Sequence, residues 1–315
     1  MTMNELCFTV LGPSGCGKTT LLACMNDYFT RVMPSAFQAD ARTFGRLSET
    51  YSELKRDAES TTNEIIFTGG IEGTDSEKEY PFTLKGTRKS IPLKFFDFPG
   101  TWLNPESEHF AYVAERARQS SVIIAVINSP YLMHYDGKYA AEAGIRDMEY
   151  VIANSLGTEK LIILVPAKCE RYLAADKDTA GLCDAVTRAF AGTLRLAGSE
   201  SPHYGKLAVV LLPVKTMGNV ALRRFDVRQG KPELKFERRG TTFSPENTDQ
   251  PLRYAMSFLL EQYKKSRSGL GRFLDIMFSG DIDQTAENIR AGIRTDIRGM
   301  KILAGRELLG IDDGE

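Results

Sequence analysis

Apolar residues along this chain fall into two alternating patterns. Short unbroken runs, Leu6 to Leu11, Ser121 to Asn128 (SVIIAVIN), Lys160 to Val165 and Leu207 to Val214 (LAVVLLPV), predict strands buried on both faces. Thr20 to Phe29, Glu106 to Gln119, Lys138 to Leu156 and Thr179 to Leu196 read as helices between them. Strands alternating with helices predict an α/β fold, a three-layer sandwich around a mainly parallel sheet with right-handed crossovers. Tyr80 to Lys85 and Ile91 to Phe96 flank Gly86-Thr87-Arg88-Lys89 and predict a hairpin. Phe44, Leu47, Tyr51 and Leu54 recur at helical spacing within the polar stretch Gln38 to Glu59, which predicts an amphipathic helical insertion over about 38–60. Ser60 to Glu79, rich in Thr, Gly, Ser and acids, reads as an exposed, mobile loop.

Beyond Thr216 the pattern changes. Arg223 to Arg239 predicts a polar hairpin turning at Gln229-Gly230-Lys231-Pro232, and Leu252 to Lys264 an amphipathic helix. Ala286 to Leu309 reads as a helix interrupted by Gly292, Gly299 and Gly305. Residues 219–315 are thus expected to be a hairpin and helical extension packed on a domain spanning 1–218. They are too short and polar to enclose a large core of their own.

Composition narrows the function classes. Lys and Arg number 40 against 41 Asp and Glu, a net charge of -1, so no global basic field argues for nucleic acid. No apolar run is long enough for a transmembrane segment, and with the first strand beginning close to Met1 no secretory signal is expected. Cys7, Cys16, Cys24, Cys169 and Cys183 show neither C-x-x-C pairing nor metal spacing, so reduced thiols in a cytoplasmic protein are expected.

The chemistry begins at Gly12-Pro13-Ser14-Gly15-Cys16-Gly17-Lys18-Thr19, which reads G-x-x-x-x-G-K-T between an apolar strand and a helix-forming run. In such a phosphate loop (P-loop), glycines let successive N–H groups converge on phosphate oxygens, and the helix N-terminus adds its positive dipole end. Residues Gly12 to Thr20 are expected to cradle a nucleoside triphosphate, with Lys18 reaching the β- and γ-phosphates and Thr19 holding Mg²⁺. A second motif, Asp97-Phe98-Pro99-Gly100, ends an apolar strand. There Asp97 would orient Mg²⁺, and the Gly100 N–H would approach the γ-phosphate and sense hydrolysis.

These two motifs resemble those of P-loop GTPases of the Ras-like and translation-factor (TRAFAC) class. That resemblance implies guanine nucleotide and Mg²⁺ as cofactors. It also implies a threonine ahead of the hairpin as second Mg²⁺ ligand, a place Thr74 fills, with Thr61 and Thr62 as alternatives. The family's base-reading N/T-K-x-D corresponds here to Ala167-Lys168-Cys169-Glu170. Lys168 would pack along the base and Glu170 would accept hydrogen bonds from guanine, while Ala167 lacks the polar side chain that braces the phosphate loop. Lys215-Thr216-Met217-Gly218 would add backbone contacts to the base. Thr101 stands where many members place the glutamine that orients the attacking water, followed by Trp102, the one tryptophan. The phosphate loop, DFPG and V-P-x-K-x-E together are similar to bacterial proteins of the uncharacterised double-GTPase kind, over about the first two-thirds of the chain.

Three functions stay open on the residues. One is a slow, Mg²⁺-dependent GTPase switch with a protein effector. Another is an ATPase, against which stand the absence of an L-S-G-G-Q signature and Phe98 in place of an acid after Asp97. The last is a non-hydrolysing nucleotide-binding module. Arg290, Arg294 and Arg298, four apart on an expected helix, read as a solvated face or a basic stripe for acidic partners.

Overall fold

The structure, a computed structural model, describes residues 5–60, 64–66, 76–85, 90–134, 138–139, 141–228, 231–265 and 282–311. Its strands, in chain order, are β1 (Leu6–Leu11), β2 (Phe37–Ala39), β3 (Glu64–Ile66), β4 (Lys78–Lys85), β5 (Ser90–Asp97), β6 (Val122–Asn128), β7 (Lys160–Ala167), β8 (Leu207–Leu211), β9 (Val220–Arg228), β10 (Lys231–Arg238) and β11 (Lys301–Ala304). The helices are α1 (Lys18–Val32), α2 (Ala41–Glu59), α3 (Phe110–Gln119), α4 (Ser129–Met133), α5 (Ile145–Asn154), α6 (Asp176–Ala189), α7 (Ala191–Ala197), α8 (Gln250–Lys265) and α9 (Ile282–Arg290).

An eight-stranded sheet runs β11-β8-β7-β6-β1-β5-β4-β2, and β3-β10-β9 form a separate three-stranded sheet. From β8 to β5 every ladder is parallel, while β4 pairs antiparallel with β5. The unbroken apolar strands sit at its centre because helices cover both faces, so every residue of β6 and β7 is buried. Alternate residues divide the core in two. Phe8, Val126, Val165 and Val210 pack with Leu21, Phe29, Tyr254 and Phe258 on the side of α1 and α8. Ile123, Ile162 and Val209 pack with Val113, Met148, Val151 and Val186 on the side of α3, α5 and α6.

The insertion contains the expected helix, which starts at Ala41 because the Asp40 side chain caps it, accepting from the Thr43 N–H at 2.7 Å. Ahead of it, Phe37–Ala39 extend the sheet as an edge strand on β4. The helix expected over Glu106 to Gln119 begins at Phe110, and that over Lys138 to Leu156 reduces to Ile145–Asn154. The helix expected over Thr179 to Leu196 is two, joined at Phe190.

The largest correction falls near the end of the chain. The helical pattern read over Ala286 to Leu309 stops at Arg290, and Lys301–Ala304 instead add an antiparallel edge strand to β8. Gly299 and Gly305 take φ of 80° and 65°, left-handed conformations that break a helix and turn the chain onto the sheet edge. The arginine stripe dissolves with the helix. Arg290 pairs with Glu287 (3.6 Å), Arg294 with Asp296 (3.2 Å) and Arg298 with Asp176. Among the described residues, no helix is long and apolar enough to cross a membrane.

Candidate functional site

β1 carries the chain to the carboxyl edge of the sheet, and Gly12 to Gly17 fold it back into α1. Gly15 and Gly17 take φ of 68° and 112°, which a side chain would strain, and Gly17 caps the helix. Gly12 is constrained by space, since a Cβ there would lie 2.6 Å from both the Val126 carbonyl oxygen and Cys16 Sγ. The loop therefore rests directly on β6. Burial pushes the Cys16 thiol up, so the one cysteine in the loop is an inert filler.

Lys18, only 5% exposed, donates from Nζ to the carbonyl oxygens of Gly12 (2.9 Å) and Pro13 (3.3 Å) and lies 3.7 Å from Asp97 Oδ1. The Thr19 hydroxyl donates to Asp97 Oδ2 at 3.0 Å. Topology explains the meeting: β5 is the parallel neighbour of β1, with Asp97 in register with Val10. Ile91, Leu93 and Phe95 all face α1, and Asp97 continues that alternation, so its fully buried carboxylate points toward the start of α1. Tyr80, the register partner of Phe95, lies in the same layer, and burial and the Asp97 charge push its phenol up. A hard cation needs oxygen ligands, and Mg²⁺ takes a few from protein and the rest from water and phosphate. The Thr19 hydroxyl beside the Asp97 carboxylate fits that demand. No cluster of three His, Cys, Asp or Glu exists among the described residues, so an all-protein metal cage is absent there.

Gly100 opens a 3₁₀ turn, Gly100–Leu103, pressed against the phosphate loop. A Cβ on Gly100 would lie 2.8 Å from Pro13 Cα and closer still to the Ser14 nitrogen. Thr101 is exposed, and Trp102 stacks on His109 at 3.9 Å. Thr74, like its alternatives Thr61 and Thr62, lies outside the described residues.

On the other side of the loop, Lys168 turns the chain with φ 54° and donates from Nζ to the Gly15 carbonyl at 2.7 Å. Burial there pulls its ammonium down, and the ring of Phe236 lies 5.9 Å from Nζ. Glu170 Oε1 accepts long hydrogen bonds from the N–H groups of Met217 (3.5 Å) and Gly218 (3.4 Å). Burial pushes its carboxyl up, and those N–H groups oppose the shift. Lys168, Glu170 and the Lys215–Gly218 loop thus converge beside the phosphate loop. Lys18, Thr19, Asp97 and Gly100 gather on the opposite flank.

Three residues of this region were not picked out from the sequence. Tyr80 and Phe236 carry no local signal, because strand pairing brings them in. Asn128 does carry one, as the polar residue ending the unbroken apolar run SVIIAVIN. It is 1% exposed and sits in register with Ala167.

A phosphate loop between the first strand and first helix of a mainly parallel sheet, with an acid ending the neighbouring strand, defines a P-loop α/β fold. No protein-family model matches the chain, and no curated protein matches its sequence. Among solved structures, a chain of the signal recognition particle receptor SRb-GTP/SRX complex from Chaetomium thermophilum is similar at 12% identity. Its TM-score is 0.39, and the match covers 68% of this chain and 92% of that one. Methanosarcina barkeri Roco2 RocCORdC bound to GDP is similar at 13% identity and a TM-score of 0.33. That match covers 92% of this chain and 66% of the other.

Proposed function

We propose that this chain is a Mg²⁺-dependent guanine-nucleotide-binding protein that hydrolyses GTP slowly and acts as a switch toward a protein partner. The observation that carries the reading is the gathering of Lys18, Thr19 and Asp97 at the mouth of the phosphate loop, with the hydroxyl 3.0 Å from the carboxylate. Lys18 binds the β- and γ-phosphates by exchanging its bonds to the Gly12 and Pro13 carbonyls for phosphate oxygens, a stronger charge-assisted pairing. Thr19 and Asp97 hold Mg²⁺, which when bound neutralises phosphate charge. Thr74 is the proposed further ligand. Gly100, whose turn presses against Pro13 and Ser14 of the loop, is the proposed reporter, its N–H approaching the γ-phosphate.

Guanine preference rests on Glu170. A carboxylate accepts from the guanine N1–H and exocyclic amine, whereas adenine offers no matching donor pair. Slowness rests on Thr101, which supplies no carboxamide to orient water. Calorimetric titration with Mg²⁺ and non-hydrolysable GTP and ATP analogues, on the parent chain and on Lys18→Ala, tests the reading. The expected result is binding of the guanine analogue alone, weakened roughly a hundredfold or more in the variant, as removal of a charge-assisted anchor predicts. Preference for the adenine analogue would point to an ATPase, and binding of the guanine analogue with no phosphate released from GTP in a parallel turnover assay to a non-hydrolysing module.

A further inference from the structure

Two polar atoms at the carboxyl end of β6 stand out. Asn128 Oδ1 and Ser129 Oγ are buried and have no hydrogen-bond partner among the described residues. A buried acceptor left unpaired is costly, and native proteins keep few of them without a use. The position of Asn128 points to one. Val122, Ile124 and Val126 belong to the core on the α1 side, with Cys16 and Leu21, whereas Ile123, Ala125 and Ile127 belong to the opposite core. Alternation therefore puts Asn128 on the phosphate-loop side of the sheet. Its register partner Ala167 belongs to the same side. The two ends of the loop rest on the two strands that carry this pair. A Cβ on Gly12 would meet the Val126 carbonyl at 2.6 Å, and one on Gly17 would meet Ala167 Cβ at 3.8 Å.

Ala167 offers the loop only a methyl group. We propose that Asn128 is the positioning residue that braces the phosphate loop, supplying from β6 the polar contact that β7 lacks at Ala167. This rests on the nucleotide-binding reading above. When phosphates draw the loop into its loaded shape, the buried carboxamide takes up a hydrogen bond from it. The acceptor that is orphaned here is satisfied in the bound form. Asn128 touches no reacting atom in this scheme, and its effect is on nucleotide affinity through the loop.

The test is titration of the non-hydrolysable GTP analogue with Mg²⁺ against the parent chain, Asn128→Ala, and Asn128→Ala combined with Ala167→Asn. Thermal melting without nucleotide runs alongside. Asn128→Ala is expected to weaken binding about tenfold or more, the scale of one buried hydrogen bond to a polar group. Its nucleotide-free melting temperature stays level or rises, because an orphaned acceptor has been removed. The double variant recovers most of the affinity from the neighbouring strand. Parent-like binding by Asn128→Ala overturns the proposal. So does a loss of affinity that merely tracks a lower melting temperature and is not recovered by Ala167→Asn. A parent chain that binds no nucleotide is a different failure, that of the functional reading itself, and it is visible before any variant is made.

Discussion

Lys160 has no exposed surface, yet it is a lysine at the start of a central strand. Its amine donates to the carbonyls of Ala117 (2.9 Å), Arg118 (3.5 Å) and Ser120, closing the C-terminal end of α3. Burial pulls its pKa from 10.5 down to about 7. Between those values the unfolded chain holds a proton that the native chain has released, so stability rises with pH across this window and levels off below about 7. The slope contributed by this one group is at most about 1.4 kcal/mol per pH unit. Urea unfolding at several pH values between 7 and 10 should show it in the parent and lack it in Lys160→Met. Parallel curves for the two proteins would refute it. Gly100 makes a second prediction at this scale. Its hydrogen faces Pro13 and Ser14 backbone, which cannot yield as a flexible side chain would. Gly100→Ala is therefore expected to cost about 1–3 kcal/mol of nucleotide-free stability, the usual penalty for overpacking. An unchanged melting temperature would mean that the turn lifts off the loop freely.

Among the elements, the informative one is the hairpin β9–β10. The sequence shows it as polar, and its turning residues Gln229 and Gly230 lie outside the described residues. It shows nothing of its partner. β10 pairs antiparallel with Glu64–Ile66, inside the stretch that reads from composition as a loop. Ties at the base of that stretch reinforce the pairing, since Asn219 donates to the Ala58 carbonyl (3.0 Å), Arg238 to Ser60 Oγ (2.9 Å) and the Phe243 N–H to Glu59 (3.3 Å). Local pattern could not reveal this, because the two strands are far apart in the chain and one is three residues long. The same holds for β11, which is defined by its pairing with β8 and not by its own periodicity. By contrast β1, α1, β5 and Asp97 were legible, because one continuous stretch fixes each and the motif spacing reports their geometry. Phe236 lies at the centre of the hairpin's contacts, 4% exposed, in register with Ile65 and facing Lys168. Phe236→Ala should destabilise the chain by about 3–5 kcal/mol. It should also raise hydrogen exchange at the amides of 64–66 more than at those of β6. Uniform exchange changes across the chain would show that the hairpin does not hold this segment.

For the whole molecule, the question is whether residues 219–315 are an appendage or a structural part of the nucleotide-binding fold. Leu252, Tyr254, Phe258 and Leu259 of α8 lie in the same core as Phe8, Val165 and Val210, and they cover the sheet on the α1 side. Buried Arg253 ties three elements together, pairing with Asp249 (2.5 Å) and donating to the Ile289 carbonyl (2.6 Å) and Tyr28 Oη (3.0 Å). The segment around Leu309 docks on α8 in turn, with Ser257 donating to the Leu309 carbonyl at 2.6 Å. β7 is apolar on both faces, and β8 has an edge that β11 closes. A chain cut after Gly218 would therefore expose the part of one sheet face that α8 covers and an unpaired sheet edge, a template for aggregation. The expected outcome for 1–218 is loss of cooperative melting and strong binding of an apolar dye, whereas the full chain melts in one transition. Cooperative melting of 1–218 together with retained nucleotide binding would make the extension a true appendage. The short version would then hold the whole switch, and the hairpin and helices would be free to serve a partner instead.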